Sequence, residues 1–450
     1  MPGSLKRRPL IFNLFMMDTG HHEASWRLPG SYPLANLDIE YFEKLAQLAE
    51  SVTFDSVFLA DHPSLEGGGR RPSGRIEPLT LLTAVARATT RIGLIATAST
   101  SYNDPYNLAR KFASLDLVSG GRAGWNIVTT AGDASARNFG LDSQPSHLER
   151  YQRADEFVAV ARKLWDSWED DAVVADPSSG VWSDDAKIHA IDHHGRFFDV
   201  RGPMNLPRTP QGHPVLVQAG SSEDGRDFAA RHAEAVFTAQ QTLADGQAFY
   251  ADLKRRAKLA GRDPGLVKIL PGLVPVIGST EAEARDLDDQ LDQLILAESA
   301  RDRLARRFGL SPEQLPLDAP LPSDLPTEDD IEGAKSRYTL IVELGRREQL
   351  TVRQLIGRLG GGRGHRTFAG TPEQVADTIE EWAAQGAADG FNVMPAALPS
   401  GFEAFAEHVV PILRSRGLIR SEYAGTTLRE HYGLPRPASQ YAPVPEGALA

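Results

Sequence analysis

Gly121–Thr130 reads GRAGWNIVTT, an apolar run that ends in Asn126, Thr129 and Thr130. Hydrogen-bonding side chains in that position suit a site built at a strand terminus, and Trp125 is expected there with them. SVFLADH closes in the same way on Asp61 and His62, and RIGLIATAST carries Thr97 and Ser99 near its end. One such ending reads as a turn or cap; three in succession predict one shared polar site. A second group suits an anion. His147, Arg150, Tyr151 and Arg153 open a helical stretch, where His147 and Tyr151, four apart, share a face. A helix N-terminus offers unpaired N–H groups and partial positive charge, which favour a phosphate. QAGSSEDG at Gln218–Gly225 has the same logic, because Gly220, Ser221 and Ser222 let amides and hydroxyls close on an anion.

Other chemistries find less support. His21-His22 and His193-His194 are adjacent pairs, without the i, i+4 spacing that lets two imidazoles share one ion, so no metal site is expected. His21 and His22 do follow the first strand, with Trp26 and Arg27 beyond, where a role at a barrel mouth is open. H-E-x-x-H, G-x-S-x-G, a Walker A loop and a G-x-G-x-x-G after the first strand are all missing. That counts against zinc and serine hydrolases and dinucleotide folds. With no cysteine, the chain has no disulfide, thiolate metal site, iron–sulfur cluster or catalytic thiol. A net charge of 48 − 60 = −12 argues against nucleic acid and anionic membranes as partners. No apolar run approaches the ~18 residues of a membrane span. The basic start and the interrupted run Pro9–Met17 do not make a signal peptide. A soluble, cytoplasmic protein is expected.

The elements that must position these groups alternate. Strands are predicted at Leu10–Met16, Ser56–Ala60, Ile92–Ala98, Ala123–Val128, Pro214–Ala219, Ala235–Thr238, Val267–Val276 and Phe391–Val393. Helical periods fall at Leu37–Val52, Leu79–Ala88, Asn107–Val118, Leu148–Trp168, Gly225–His232, Leu243–Ala260, Glu281–Ala300, Pro372–Ala384 and Phe402–Arg414. Strand and helix in turn imply a parallel sheet, because each helix is a crossover. About eight such units fit a closed α/β (β/α)8 TIM barrel better than an open sheet. The length of 450 residues alone would suggest about three domains. A single barrel over 1–418 with insertions accounts for it instead.

Two stretches depart from the repeat. His189–Pro207 reads as a hairpin outside the barrel. Arg301–His365 opens with a charged helix, crosses five prolines between Pro312 and Pro326, continues as a helical segment Ile331–Leu359 and ends in Gly360, Gly361, Gly362 and Gly364. It is expected to be a lid, with the glycines as hinge, or an interface element. The tail 419–450, with Pro435, Pro437, Pro443 and Pro445, is expected to run extended over a surface.

SVFLADH, Arg91–Thr130, His147–Trp168, His193–Phe237 and Gly370–Gly390 together resemble one family. It is the bacterial luciferase-like flavin monooxygenase superfamily, in its nitrilotriacetate, pristinamycin-synthase and dibenzothiophene-sulfone monooxygenase branch. The resemblance runs from about Pro9 to Leu418. It implies a TIM barrel that takes reduced FMN (FMNH2) from a separate NAD(P)H:FMN oxidoreductase. With O2, by way of a flavin (hydro)peroxide, it would oxygenate a small organic sulfur or nitrogen compound. Carried onto this chain, it places Asp61 near the flavin ring, with Thr97, Thr130 and Ala131 lining it. His147 and Tyr151 would reach the ribityl–phosphate part, and Gly220, Ser221 and Ser222 would hold the phosphate. A first-loop histidine, His21 or His22, would face the reactive side, and a homodimer or homotetramer is implied. A deazaflavin-dependent dehydrogenase on the same barrel, a non-catalytic FMN-binding barrel and a metal-dependent barrel hydrolase are the competing readings.

Overall fold

The computed structural model describes residues 9–65, 69–70, 72–130, 132–327, 335–362 and 364–442. Eight parallel strands close into a barrel: β1 Ile11–Phe15, β2 Ser56–Leu59, β3 Gly93–Ser99, β4 Ala123–Val128, β5 Val215–Gln218, β6 Ala235–Thr238, β7 Lys268–Ile277 and β8 Gly390–Val393. Neighbours pair in chain order, and β8 bonds to both β7 and β1 to complete the ring. These strands are buried on both faces, which is why they read as unbroken apolar runs. Crossover helices start at side chains that cap them, among them Glu77, Asp104, Ser146, Ser222 and Thr371.

The period of two decides which residues face the barrel interior. Leu94, Ala96 and Ala98 of β3 pack outward against the helices, whereas Ile95 lies inside with Phe15, Phe58 and Phe237. Thr97 and Ser99, in step with Ile95, therefore point inward. On β4, Trp125 and Ile127 face outward and Asn126 faces inward.

Beyond the barrel, His193–His194 and Asp199–Val200 pair antiparallel as the expected outer hairpin. A second pair, Val173–Asp176 with Val181–Ser183, was too short to read in the sequence. The expected single helix Glu281–Ala300 is two, Glu281–Gln293 and Ala297–Phe308. The reason is that they serve different cores: Leu291 packs on the barrel, while Ala300, Leu304, Ala305 and Phe308 join Tyr338, Ile341 and Leu355 in a separate cluster. The segment expected as Ile331–Leu359 is likewise two helices, Lys335–Arg347 and Val352–Gly362, parted where Gln349 takes a φ of 52°. Residues 331–334 lie outside the described set. A short strand, Arg366–Gly370, then pairs with the second half of β7.

The described part of the tail does not run extended throughout. It turns back as the helix Leu428–Tyr432 and fills the amino-terminal end of the barrel. Leu428 occupies the space left by two glycines: a Cβ would stand 2.4 Å from its Cδ1 at Gly93 and 3.1 Å from its Cδ2 at Gly124. The Tyr432 hydroxyl donates to Asn13 Oδ1 at 2.8 Å, which Ser56 also reaches at 2.8 Å. Burial of this end, and not proline density, decided the outcome. Because Asn13 keeps its Ser56 partner, Tyr432→Phe should cost only about 1 kcal/mol in urea denaturation. A loss above about 3 kcal/mol would mean that the hydroxyl organises the whole floor.

Candidate active site

The carboxyl ends of β1 to β5 form one arc of the barrel rim. On β3 and β4, Asn126 Nδ2 donates to Thr97 Oγ1 at 2.8 Å, and Thr130 Oγ1 donates to Ser99 Oγ at 2.7 Å. Thr130 adopts a positive φ of 41°, and the buried Arg150 guanidinium holds its carbonyl in place. Arg153 fixes the neighbouring loop, donating to the Thr100 carbonyl and lying 4.4 Å over the Phe198 ring. Both arginines serve the backbone around the rim. The Asn126 Oδ1 atom is buried inside the mouth with no hydrogen-bond partner among the described residues. Trp125 does not join this site. It packs against Phe112 and Phe157, with its indole N–H donating to the Ala98 carbonyl at 3.1 Å.

The second group assembles where helix His147–Asp166 meets helix Glu223–His232. His147 Nδ1 lies 2.7 Å from Asp224 Oδ2, and its ring rests 4.9 Å from that of Tyr151. Burial pushes the Tyr151 phenol up, so it is a neutral hydroxyl at ordinary pH. That hydroxyl meets Gly220 and Gly225, where an added Cβ would stand 3.0 Å away in each case. At Gly220 the same Cβ would also come within 2.3 Å of Gln218 Nε2, so a larger residue there would displace the Gln218 amide. Ser222 caps the second helix, its Oγ accepting from the Gly225 N–H at 3.2 Å. The first-turn carboxylates would repel an anion, but each is paired, Glu223 with Arg226 and Arg256 and Asp224 with His147. Ser221 and Ser222 line a cavity of about 640 Å³ that Gln240, Gln241 and Arg347 also bound. Gln218 Oε1 is buried beside the cradle without a hydrogen-bond partner among the described residues.

The third group stands at the β1 and β2 ends. The loop after β1 is stitched to the loop after β8, His21 N–H donating to the Pro395 carbonyl and His22 N–H to that of Ala396. The His21 ring sits 4.7 Å from Phe15, which meets Phe58 and Phe237 edge-on at 4.8 and 5.8 Å. His21 thus stands over an aromatic floor inside the barrel. His22 turns the other way, towards the insertion, and lines a cavity of about 510 Å³ with Asp18, Asp61, His62 and Arg75. Burial raises the Asp61 carboxyl, partly offset by the His62 N–H and the Arg75 charge. Arg27 donates to the Leu294 carbonyl, a tie to the end of the helix Glu281–Gln293.

The sequence-derived residues therefore fall into three neighbouring clusters on one rim; Ala131 lies outside the described residues. Sequence reasoning missed Gln218, Asp292 and His365, whose ring stacks 4.8 Å from Phe237. His365 had been read only as the end of a glycine run. Among the described residues no group of three or more acidic or histidine side chains could hold a metal, and no helix is long and apolar enough to cross a membrane.

The residues present fit a flavin mononucleotide. A glycine-floored helix N-terminus with two serines suits the phosphate, and the buried acceptors on Asn126 and Gln218 await donors. The model of the family described as luciferase-like monooxygenase matches residues 15–389. N-acetyl-S-(2-succino)cysteine monooxygenase of Bacillus subtilis (strain 168) is 46% identical over 439 residues, 97% of this chain and 99% of the relative. Nitrilotriacetate monooxygenase component A of Aminobacter aminovorans is 46% identical over 454 residues, 98% and 99% of the two chains. The structure of a riboflavin lyase with modified FMN and riboflavin superposes with a TM-score of 0.84 at 33% identity, covering 96% of this chain and 97% of that one.

Proposed function

The chain belongs to the luciferase-like monooxygenase family, and on that premise we propose that it is the oxygenase component of a two-component system. It would accept reduced FMN from a separate NAD(P)H:FMN oxidoreductase and transfer one atom of O2 to a small organic compound containing sulfur or nitrogen. The relative named as component A supports the division of labour, and the modified FMN in the similar lyase structure supports the cofactor. The observation that carries the reading is the cradle of Gly220, Ser222 and Tyr151, on the same rim as the aromatic floor under His21.

When bound, reduced FMN supplies the electrons that activate dioxygen; the chain supplies position and proton control. Ser221, Ser222 and the open helix end would hold the phosphate, and His147 and Tyr151 the ribityl chain. Thr97, Asn126 and Thr130 would flank the ring, with Asp61 near its edge. His21 is the residue we assign to holding a proton at the reacting face, because its ring lies over the barrel interior. The insertion borders both cavities, through Arg347 at one and the Arg303–Glu23 pair at the other. That position suits a cover that keeps water out.

Fluorescence titration with FMN tests the cradle. Gly220→Ala should weaken binding about tenfold, equivalent to about 1.4 kcal/mol. Equal affinities for the variant and the unchanged protein would place the phosphate elsewhere.

A further inference from the structure

One side chain of the helix that follows β7 reaches the loop after β1. Asp292 stands in the last turn of the Glu281–Gln293 helix, and its Oδ1 lies 3.1 Å from Nε2 of His22. The other ring nitrogen of His22, Nδ1, accepts the backbone N–H of Ala24 at 3.2 Å. A nitrogen that accepts carries the lone pair, so Nε2 carries the proton and donates it to the carboxylate. The His22 side chain is wholly buried, whereas that of Asp292 is 38% exposed.

The insertion is shaped around this pair. On the Val352–Gly362 helix, a Cβ at Gly357 would stand 2.6 Å from Asp292 Oδ2. One at Gly360 would stand 2.5 Å from Ile295 Cδ1 and 3.3 Å from His22 Nε2. Three residues apart, these glycines share a helix face and form a notch for the two side chains. Gly360, expected in the sequence to be part of a hinge, is a packing surface inside a helix. Its carbonyl accepts the Glu23 N–H at 2.9 Å, and Arg303 pairs with the Glu23 carboxylate.

We infer that Asp292 is a positioning residue: it fixes His22 with the proton on Nε2 and, through His22, the loop that sets His21 over the barrel interior. Both nitrogens of His22 are thereby committed to holding the loop. The effect on turnover rests on the monooxygenase reading above, while the protonation pattern of the ring does not.

Long-range proton–nitrogen correlation on protein labelled at histidine nitrogen reads that pattern without flavin, with His22 identified through His22→Gln. In the unchanged protein His22 should show a lone pair on Nδ1 and the proton on Nε2. In Asp292→Ala it should exchange between both forms, and product formed per FMN oxidised should fall about tenfold. Asp292→Asn, whose amide oxygen still accepts, should restore the Nε2–H signature and most of the yield. An unaltered His22 signature in Asp292→Ala, or an asparagine variant no better than alanine, would overturn the assignment. A changed signature with undiminished yield would overturn its catalytic part. Absence of product from every protein, unchanged chain included, would count against the proposed function and leave the ring signature to decide the role of Asp292.

Discussion

His21→Ala should lower oxygenated product per FMN oxidised by about 10²-fold, the lower end of what a positioned proton donor or acceptor contributes. Oxygen consumption should continue, with hydrogen peroxide as the product. The expectation follows from where the two adjacent histidines point. His22 has one nitrogen on the Ala24 N–H and the other on Asp292, so its ring is held by its own loop and the helix Glu281–Gln293. The His21 ring lies against Phe15, and Phe15 meets Phe58 and Phe237 across the interior. A proton held there faces an apolar surface, and an imidazole nitrogen can donate or accept it at a reacting atom. FMN affinity should change little, because the cradle at Gly220 and Ser222 lies on another strand end. A variant that keeps full yield would remove His21 from the chemistry.

The second large effect lies at the opposite end of the barrel. Arg429→Ala should destabilise the fold by about 3–5 kcal/mol, the usual cost of leaving a buried charge without its partner. Arg429 meets both oxygens of Glu234, at 2.7 and 3.0 Å, and its Nε donates to the His213 carbonyl at 2.9 Å. Its side chain is 4% exposed and that of Glu234 17%. Burial alone would raise the Glu234 carboxyl, but the Arg429 charge and hydrogen bonds overcome it and hold the group below its ordinary value. A depressed folded-state pKa stabilises above the unfolded value, near ~4.3, and that contribution disappears as pH falls through the folded value. The variant should show the opposite trend between neutral pH and ~5, gaining relative stability as the unpaired carboxyl takes up a proton. Urea midpoints measured across that range check both magnitude and sign. A loss below about 1 kcal/mol, or parallel pH profiles, would show that the tail does not anchor the barrel floor.

These two ends were unequally legible. Strands buried on both faces announce themselves, and Ala123–Val128 and Ala235–Thr238 have the bounds that their apolar runs suggest. The same double burial hides which side a residue faces, so Trp125 was grouped with Asn126 although the two point in opposite directions. The cradle could be read because its parts lie within short motifs, His147 with Tyr151 and Gly220 with Ser222. The Asp292–His22 contact could not, since 270 residues separate its partners. The tail misled for a further reason: a five-residue helix has too little periodicity to compete with the prolines that follow it.

Isotope tracing tests the central claim most directly. The protein would be supplied with FMN, NADH, a flavin reductase, ¹⁸O2 and a panel of thioethers, sulfones and aminopolycarboxylates. The compound that is consumed should yield a product carrying one ¹⁸O atom, and omission of FMN should abolish it. A product formed without the label, or oxygen returned wholly as hydrogen peroxide with every compound, would contradict a monooxygenase built on this rim.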